Sequence, residues 1–284
     1  MRKMMKQFTQ NQSQITPTSL AHTNSIFKNA DTIDLPITKI KVLTHDTSIY
    51  TLGFDKDQCV GTYTGAHIQF LKQINGDQIG RWFTPLTLPD NKGYTDILIK
   101  FYRPTATFPG GKLTTYLDTL KVGDKITCHK PKAKCVYLGD GRFFYTKLGF
   151  EQKFDRFAMV CGGSGITPVY QILQQTIANG EKIPIDVLFG NKSVGDILLE
   201  NELNDLQKNN PHIKINFAVE ELTQEQVNSG KYLLGKISPE LMDKVLPKGQ
   251  KGLLGYTCGP KPMHAVALQH FEQMGYPEDH IWKQ

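Results

Sequence analysis

The run Gly162-Gly-Ser-Gly-Ile-Thr-Pro168 stands between an apolar segment, Phe157 to Cys161, and a helical pattern over Val169 to Ala178. Such a junction can bind an anion or an electron-rich ring. Glycines remove the Cβ atoms where a ligand must approach the backbone. The helix beyond them offers free N–H groups and the positive end of its dipole. Taken alone the signal is weak, because glycine turns also join strands to helices where nothing binds.

Three further runs carry similar chemistry. Arg81-Trp-Phe-Thr-Pro-Leu-Thr87 contains a cation and a hydroxyl, Arg81 and Thr84, which we read as sharing one strand face. A diphosphate and a polar ring edge would find partners there, although an ordinary edge-strand arginine looks the same. Pro109-Gly-Gly-Lys-Leu-Thr-Thr-Tyr-Leu117 exposes backbone N–H groups at Gly110, Gly111 and Lys112 ahead of a helix whose first turn holds Thr114 and Thr115. That is an anion site in outline. Cys258-Gly-Pro-Lys-Pro-Met263 follows an apolar strand, at the carboxyl end where parallel sheets bind their ligands. Cys258 also reads as a buried apolar thiol.

The elements that position these runs fall into two patterns. From Ile37 to Cys135, short alternating or apolar runs broken by Gly, Pro, Asn and Asp predict an antiparallel sheet or barrel. Its strands are expected at Ile40–Leu43, Ile49–Phe54, His67–Leu71, Arg81–Leu86, Asp96–Phe101, Lys125–Cys128 and Cys135–Tyr137, with one helix at Leu113–Leu120. After Phe154, strands near Phe157–Cys161, Ile185–Gly190, Ile213–Val219 and Leu253–Cys258 alternate with helices near Val169–Ala178, Ile197–Lys208, Pro239–Val245 and Pro262–Met274. Strands separated by such helices imply a parallel sheet covered on both faces. The expected division is a basic tail over 1–34, a β-barrel over 35–150 and an α/β unit over 151–284, with a linker near Gly149–Phe154.

Composition limits the function classes. At 284 residues and 39% hydrophobic, the chain can bury a core in each of two domains. Four units of the formal +6 charge come from Arg2, Lys3, Lys6 and Lys28, in a segment without acids, so the body is nearly neutral and a nucleic-acid groove is poorly supported. Five cysteines without CxxC spacing indicate neither a disulfide framework nor a zinc site. No metal is expected; His264 and His270 are placed along the last helix instead. No apolar run approaches the roughly 20 residues of a membrane span. Residues 1–30, rich in Ser, Thr, Gln and Asn, resemble a mitochondrial transit peptide or read as a disordered tail, and a cytosolic location, including the cytosolic face of a membrane, stays open.

The four motifs, in this order on a small barrel and an α/β unit, resemble NADH-cytochrome b5 reductase and the flavin domain of nitrate reductase, within the ferredoxin reductase superfamily. The resemblance covers roughly residues 37–282. It implies FAD and NADH as cofactors, with hydride passing to the flavin and single electrons leaving to cytochrome b5 or another one-electron acceptor. By this resemblance Thr84, Lys100, Thr167 and Cys258 serve the reacting centre. Arg81, Phe83, Thr84, Pro85, Thr87, Lys100, Tyr102, Gly110, Gly111, Lys112, Leu113 and Thr114 hold the FAD. Gly162, Gly163, Ser164, Gly165, Thr167, Pro168, Cys258, Gly259, Pro260 and Met263 take the nicotinamide side. Glu220 matches the acidic position that accepts from ribose hydroxyls and repels a 2′-phosphate, although an exposed acid beside Glu221 reads the same. Lys112, Lys130, Lys132 and Lys134 offer a basic rim to an acidic haem protein, or simply a solvated face.

Several positions depart from the family pattern. Phe83 replaces a tyrosine, at a cost of one hydrogen bond, about 1 kcal/mol. Lys130 and Ala133 stand at the glycines of a Gly-Pro-x-Gly loop, Lys261 replaces a proline, and the chain ends Trp282-Lys-Gln where relatives end in phenylalanine. They motivate an alternative, a weakly active or structural reductase-fold subunit of a larger complex.

Overall fold

The computed structural model describes residues 24–284. Most of the basic segment therefore lies outside the described residues. The described strands form two six-stranded sheets and one three-stranded sheet.

The first sheet is antiparallel. It comprises β1 (Thr32–Thr44), β2 (Thr47–Gly53), β3 (His67–Ile74), β4 (Asp77–Phe83), β5 (Tyr94–Lys100) and β6 (Lys125–Lys132), in the order β4-β3-β6-β1-β2-β5. A bridge between Pro85 and Ile97 closes its edges into a barrel. The helix α1 (Lys112–Leu117) enters between β5 and β6. Inward residues such as Ile37, Leu52, Ile68, Phe70, Ile97, Ile99 and Cys128 alternate along the strands to fill one core, onto which α1 packs Leu113 and Leu117.

A hairpin sheet follows, β7 (Cys135–Gly139), β8 (Arg142–Tyr145) and β9 (Phe150–Lys153). It occupies the segment expected to hold the linker, so the boundary there is structured rather than loose. Asp140 and Gly141 both have positive φ, +53° and +71°, the geometry of a two-residue turn that matches strand twist. The hairpin is held by Tyr137 and Phe143, 4.9 Å apart, which meet Phe154 and Phe157 edge-on at ring distances of 5.3–6.1 Å.

The last sheet is wholly parallel. Its strands are β10 (Arg156–Gly162), β11 (Ile185–Ser193), β12 (Ile213–Glu221), β13 (Leu233–Leu234), β14 (Leu253–Cys258) and β15 (Ile281–Lys283), ordered β13-β12-β11-β10-β14-β15. The helices are α2 (Ile166–Ala178), α3 (Glu200–Asn209), α4 (Gln224–Asn228), α5 (Pro239–Val245) and α6 (Lys261–Gln273). Phe157, Val160, Val187, Phe189 and Leu254 are fully buried, as strands covered on both faces require. No described helix is long and apolar enough to cross a membrane.

Barrel and parallel sheet share one apolar cluster, in which Ile49, Leu86 and Leu98 meet Tyr137, Phe157 and Ile166. A row of glutamines on α2 adds hydrogen bonds. Gln171, fully buried, accepts from the Gly65 N–H at 2.6 Å and donates to the Thr87 carbonyl at 3.1 Å. Gln174 donates to the Leu86 carbonyl at 3.0 Å, and Gln175 accepts from the Thr64 hydroxyl at 2.9 Å.

Candidate functional site

Strand order reverses between β10 and β14, since β11, β12 and β13 lie to one side and β15 to the other. A crevice opens beyond the carboxyl ends at such a switch point. The two sequence motifs end there side by side, with Cys161 in register with Cys258. After β10 a single 3-10 turn, Gly163–Gly165, leads into α2. Neither that turn nor α2 has a side-chain cap, and the Ile166 N–H is taken by the Gly163 and Ser164 carbonyls. Gly163 has φ of +53° and open space where a Cβ would stand. A Cβ on Gly165 would lie 2.2 Å from the Cys258 carbonyl oxygen, so the two turns interlock through backbone. Thr167, buried, donates to the Ser164 carbonyl at 3.0 Å, and Pro168 is buried in the first turn of α2. Met263 packs on Gly162, while Pro260 is exposed. Burial pushes the Cys258 thiol up to about 12, against the opposing pull of Lys134. It stays a neutral thiol at neutral pH.

On the barrel side, Thr84 is buried and meets His67 Nδ1 at 2.6 Å. The other ring nitrogen of His67 meets the Gln284 side-chain nitrogen, which also donates to the Gly65 carbonyl at 2.9 Å. An amide nitrogen can only donate, so His67 Nε2 accepts and Nδ1 carries the proton that is given to Thr84. The Thr84 hydroxyl proton is thereby left to donate to whatever lies beside it. Burial, and then Lys134, lower the His67 pKa to about 4 and keep the ring neutral. Gln284 also donates its backbone N–H to the Thr257 carbonyl at 3.0 Å. A continuous chain, Thr84–His67–Gln284–Thr257, thus joins the barrel to the residue preceding Cys258.

The expected pairing of Arg81 with Thr84 on one strand face does not hold. Strand β4 ends at Phe83, so Thr84 turns inward while Arg81 is exposed and donates to the Gly80 carbonyl. Residues three apart lie on opposite faces of a strand in any case. Phe83 packs its ring on Phe70, 4.7 Å between centroids, at the rim of the barrel core. The Thr87 hydroxyl pairs with Thr95 at 2.8 Å, and Pro85 makes the closing bridge.

Lys100 ends β5 and pairs with Asp46 at 2.7 Å. Burial opposes ionisation of Asp46, but Lys100, Thr47 and Thr44 together hold its carboxyl below the ordinary value. Just beyond, the Gly111 N–H donates to the Tyr102 carbonyl at 2.8 Å, and the Tyr102 N–H donates to the Thr114 hydroxyl at 3.3 Å. These bonds pin the start of α1 against the end of β5. Helix α1 has no side-chain cap, Gly110 has φ of +83°, and Lys112 is exposed. Leu113 is buried and anchors the helix.

Glu220 lies apart from these residues, exposed at the carboxyl end of β12 and paired with Lys236 at 3.4 Å. Lys130 reaches Asp31 at 2.8 Å and Lys132 lies over the Trp82 ring at 5.8 Å. Lys261 is exposed at the start of α6, and Trp282 meets Tyr145 edge-on at 4.9 Å. His67, Gln171 and Gln284 were not expected at the site. The barrel and α2 partners named above lie 17 to 219 positions away, and no local pattern marks them.

These features fit a flavin and a dinucleotide: two glycine turns opening helices that have no side-chain cap, open space at Gly163, and a Thr84 proton without an assigned acceptor. The oxidoreductase FAD-binding domain family matches residues 34–137, and the oxidoreductase NAD-binding domain family matches residues 159–269. NADH-cytochrome b5 reductase 2 of Danio rerio is 30% identical over 259 residues, spanning 87% of this chain and 82% of that protein. The Gallus gallus protein of the same name is 31% identical, spanning 86% and 83%. The crystal structure of the cytochrome b5 reductase domain of Ulva prolifera nitrate reductase superposes with a TM-score of 0.82 at 28% identity, covering 89% of this chain and 97% of that one. With its barrel, its parallel sheet and both nucleotide-binding motifs in place, the chain belongs to the NADH-cytochrome b5 reductase family of FAD- and NAD-binding oxidoreductases.

Proposed function

We propose that the protein is an NADH-dependent flavoprotein reductase that delivers single electrons to a small haem protein of the cytochrome b5 kind. In this reading residues 35–150 hold the FAD and residues 151–284 hold the NADH. Bound FAD supplies an acceptor for hydride that releases electrons one at a time. The chain supplies position and polarity. Gly110, Gly111, Lys112 and Thr114 receive the diphosphate; Gly162 to Gly165 and Thr167 carry the nicotinamide nucleotide; Thr84 donates to the flavin edge; Cys258, as a neutral thiol, lines the place where the two rings meet. Glu220 accepts from the adenosine ribose.

The observation that carries this reading is the hydrogen-bonded chain from Thr84 to Thr257, which fixes the flavin side of the barrel against the switch point of the parallel sheet. The alternative of a structural subunit rests on the loop departures, and there Lys130 and Lys132 are engaged with Asp31 and Trp82. Purified protein is expected to be yellow, to be bleached by NADH and to reduce cytochrome b5. A colourless protein without flavin by mass spectrometry, or a flavin that NADH does not reduce, overturns the proposal.

A further inference from the structure

His264 is the fourth residue of α6, only 5% exposed, and faces back onto the turn after β14. Its Nε2 accepts the Gly259 N–H at 3.2 Å, and its Nδ1 meets the Thr257 hydroxyl at 3.2 Å. A backbone N–H can only donate, so Nε2 must be bare and Nδ1 must carry the single ring proton. The residues it grips flank Cys258 on both sides.

The held turn has little freedom of shape. Gly259 sits at φ of +152°, and a Cβ there would stand 2.8 Å from Met263 and 3.0 Å from the Gly162 backbone. The Cys258 carbonyl in turn fills the space in front of Gly165. Any shift of Gly259 is therefore passed to the glycine turn that begins α2. Loss of the imidazole acceptor would also leave the Gly259 N–H without this partner.

We infer that neutral His264 is a positioning residue for hydride transfer, clamping the Cys258–Gly259 turn against the Gly162–Gly165 turn and releasing it when the imidazole takes a second proton. Protonation places an N–H opposite the Gly259 N–H, and the bond is lost. The charged groups acting on the ring are Lys283 on β15 and Lys134 between β6 and β7. Burial first, and then these two cations, lower its pKa, so the clamp is closed at neutral pH and opens on acidification. The inference rests on the NADH-reductase reading, because the clamp is assigned to the nicotinamide side of that site.

Two measurements test it. In 15N-labelled protein without NADH, the Gly259 amide signal is expected to move, and its exchange to accelerate, along the titration curve of His264. In the flavin-loaded enzyme, His264→Leu is expected to raise the KM for NADH about fivefold to tenfold at neutral pH with FAD content unchanged. His264→Gln places a carbonyl oxygen near the Nε2 position, and is expected to restore a near-normal KM that no longer rises in acid. A Gly259 amide indifferent to the His264 titration overturns the inference. So does a His264→Gln KM with the same acid rise as the parent, a comparison that stands even if His264→Leu does not fold. A parent protein without flavin would overturn the reductase reading instead, and the amide titration would still decide the clamp.

Discussion

Thr84 receives its hydrogen bond from His67, and this decides what Thr84 can do. A hydroxyl that already accepts from an imidazole keeps its own proton for a neighbour, here the edge of the flavin. Thr84→Val keeps the shape and removes the donor. Flavin reduction by NADH is expected to slow about tenfold, the worth of one hydrogen bond, with FAD content preserved. Stopped-flow measurement of the half-reaction gives the comparison, and an unchanged rate would remove Thr84 from the reacting centre. The motif residues at this scale were legible in the sequence because glycine, proline and hydroxyl types stand at fixed local spacings. Arg81 and Thr84 do not share a face, because residues three apart point to opposite sides of a strand, and β4 also stops at Phe83 before the closing bridge at Pro85.

Helix α2 does two tasks with two faces. Its start builds the glycine turn, and its glutamine row ties the parallel sheet to the barrel. Gln171→Leu leaves the Gly65 N–H and the Thr87 carbonyl without their partner in a buried place. An unmet buried group costs about 1–3 kcal/mol, so for the two groups a loss of about 2–6 kcal/mol is expected in urea denaturation. A loss below about 1 kcal/mol would mean that water replaces the glutamine. The alternation of strand and helix in the second half was readable from periodicity. The hairpin β8–β9 was not, because four-residue strands are too short to show a period, even with the Asp140-Gly141 turn between β7 and β8. The short strands β13 and β15 escaped for the same reason.

Across the whole molecule, the C-terminus crosses from the parallel sheet to the barrel and sets His67 between Thr84 and Gln284, where burial, and then Lys134, keep the ring neutral. The imidazole pKa falls from its ordinary 6.5 to about 4 in the folded protein. The unfolded chain therefore binds this proton first as pH drops. Stability attributable to His67 is complete above pH 6.5 and is lost as pH falls toward 4, by at most about 3 kcal/mol. Urea midpoints measured across that window in the parent and in His67→Gln are expected to diverge, with the parent steeper. Equal slopes would show that His67 is not the group responsible.

By itself the sequence determined the two fold classes, the order of the nucleotide motifs and the resemblance they carry. Local backbone chemistry makes turns, and hydrophobic period makes sheets and helices. Only the tertiary structure decided which polar groups meet: His67 with Thr84 and Gln284, Gln171 with Gly65 and Thr87, and His264 with Gly259. The contacts of His67 with Gln284, and of Gln171 with Gly65 and Thr87, join the barrel to the parallel-sheet half across 84 to 217 positions. The glycine turn after Cys161 was legible as a place for a ligand, but its shape depends on the Cys258–Gly259 turn packed against it. A hydrogen bond between residues 219 positions apart leaves no trace in spacing, because strand order brings them together.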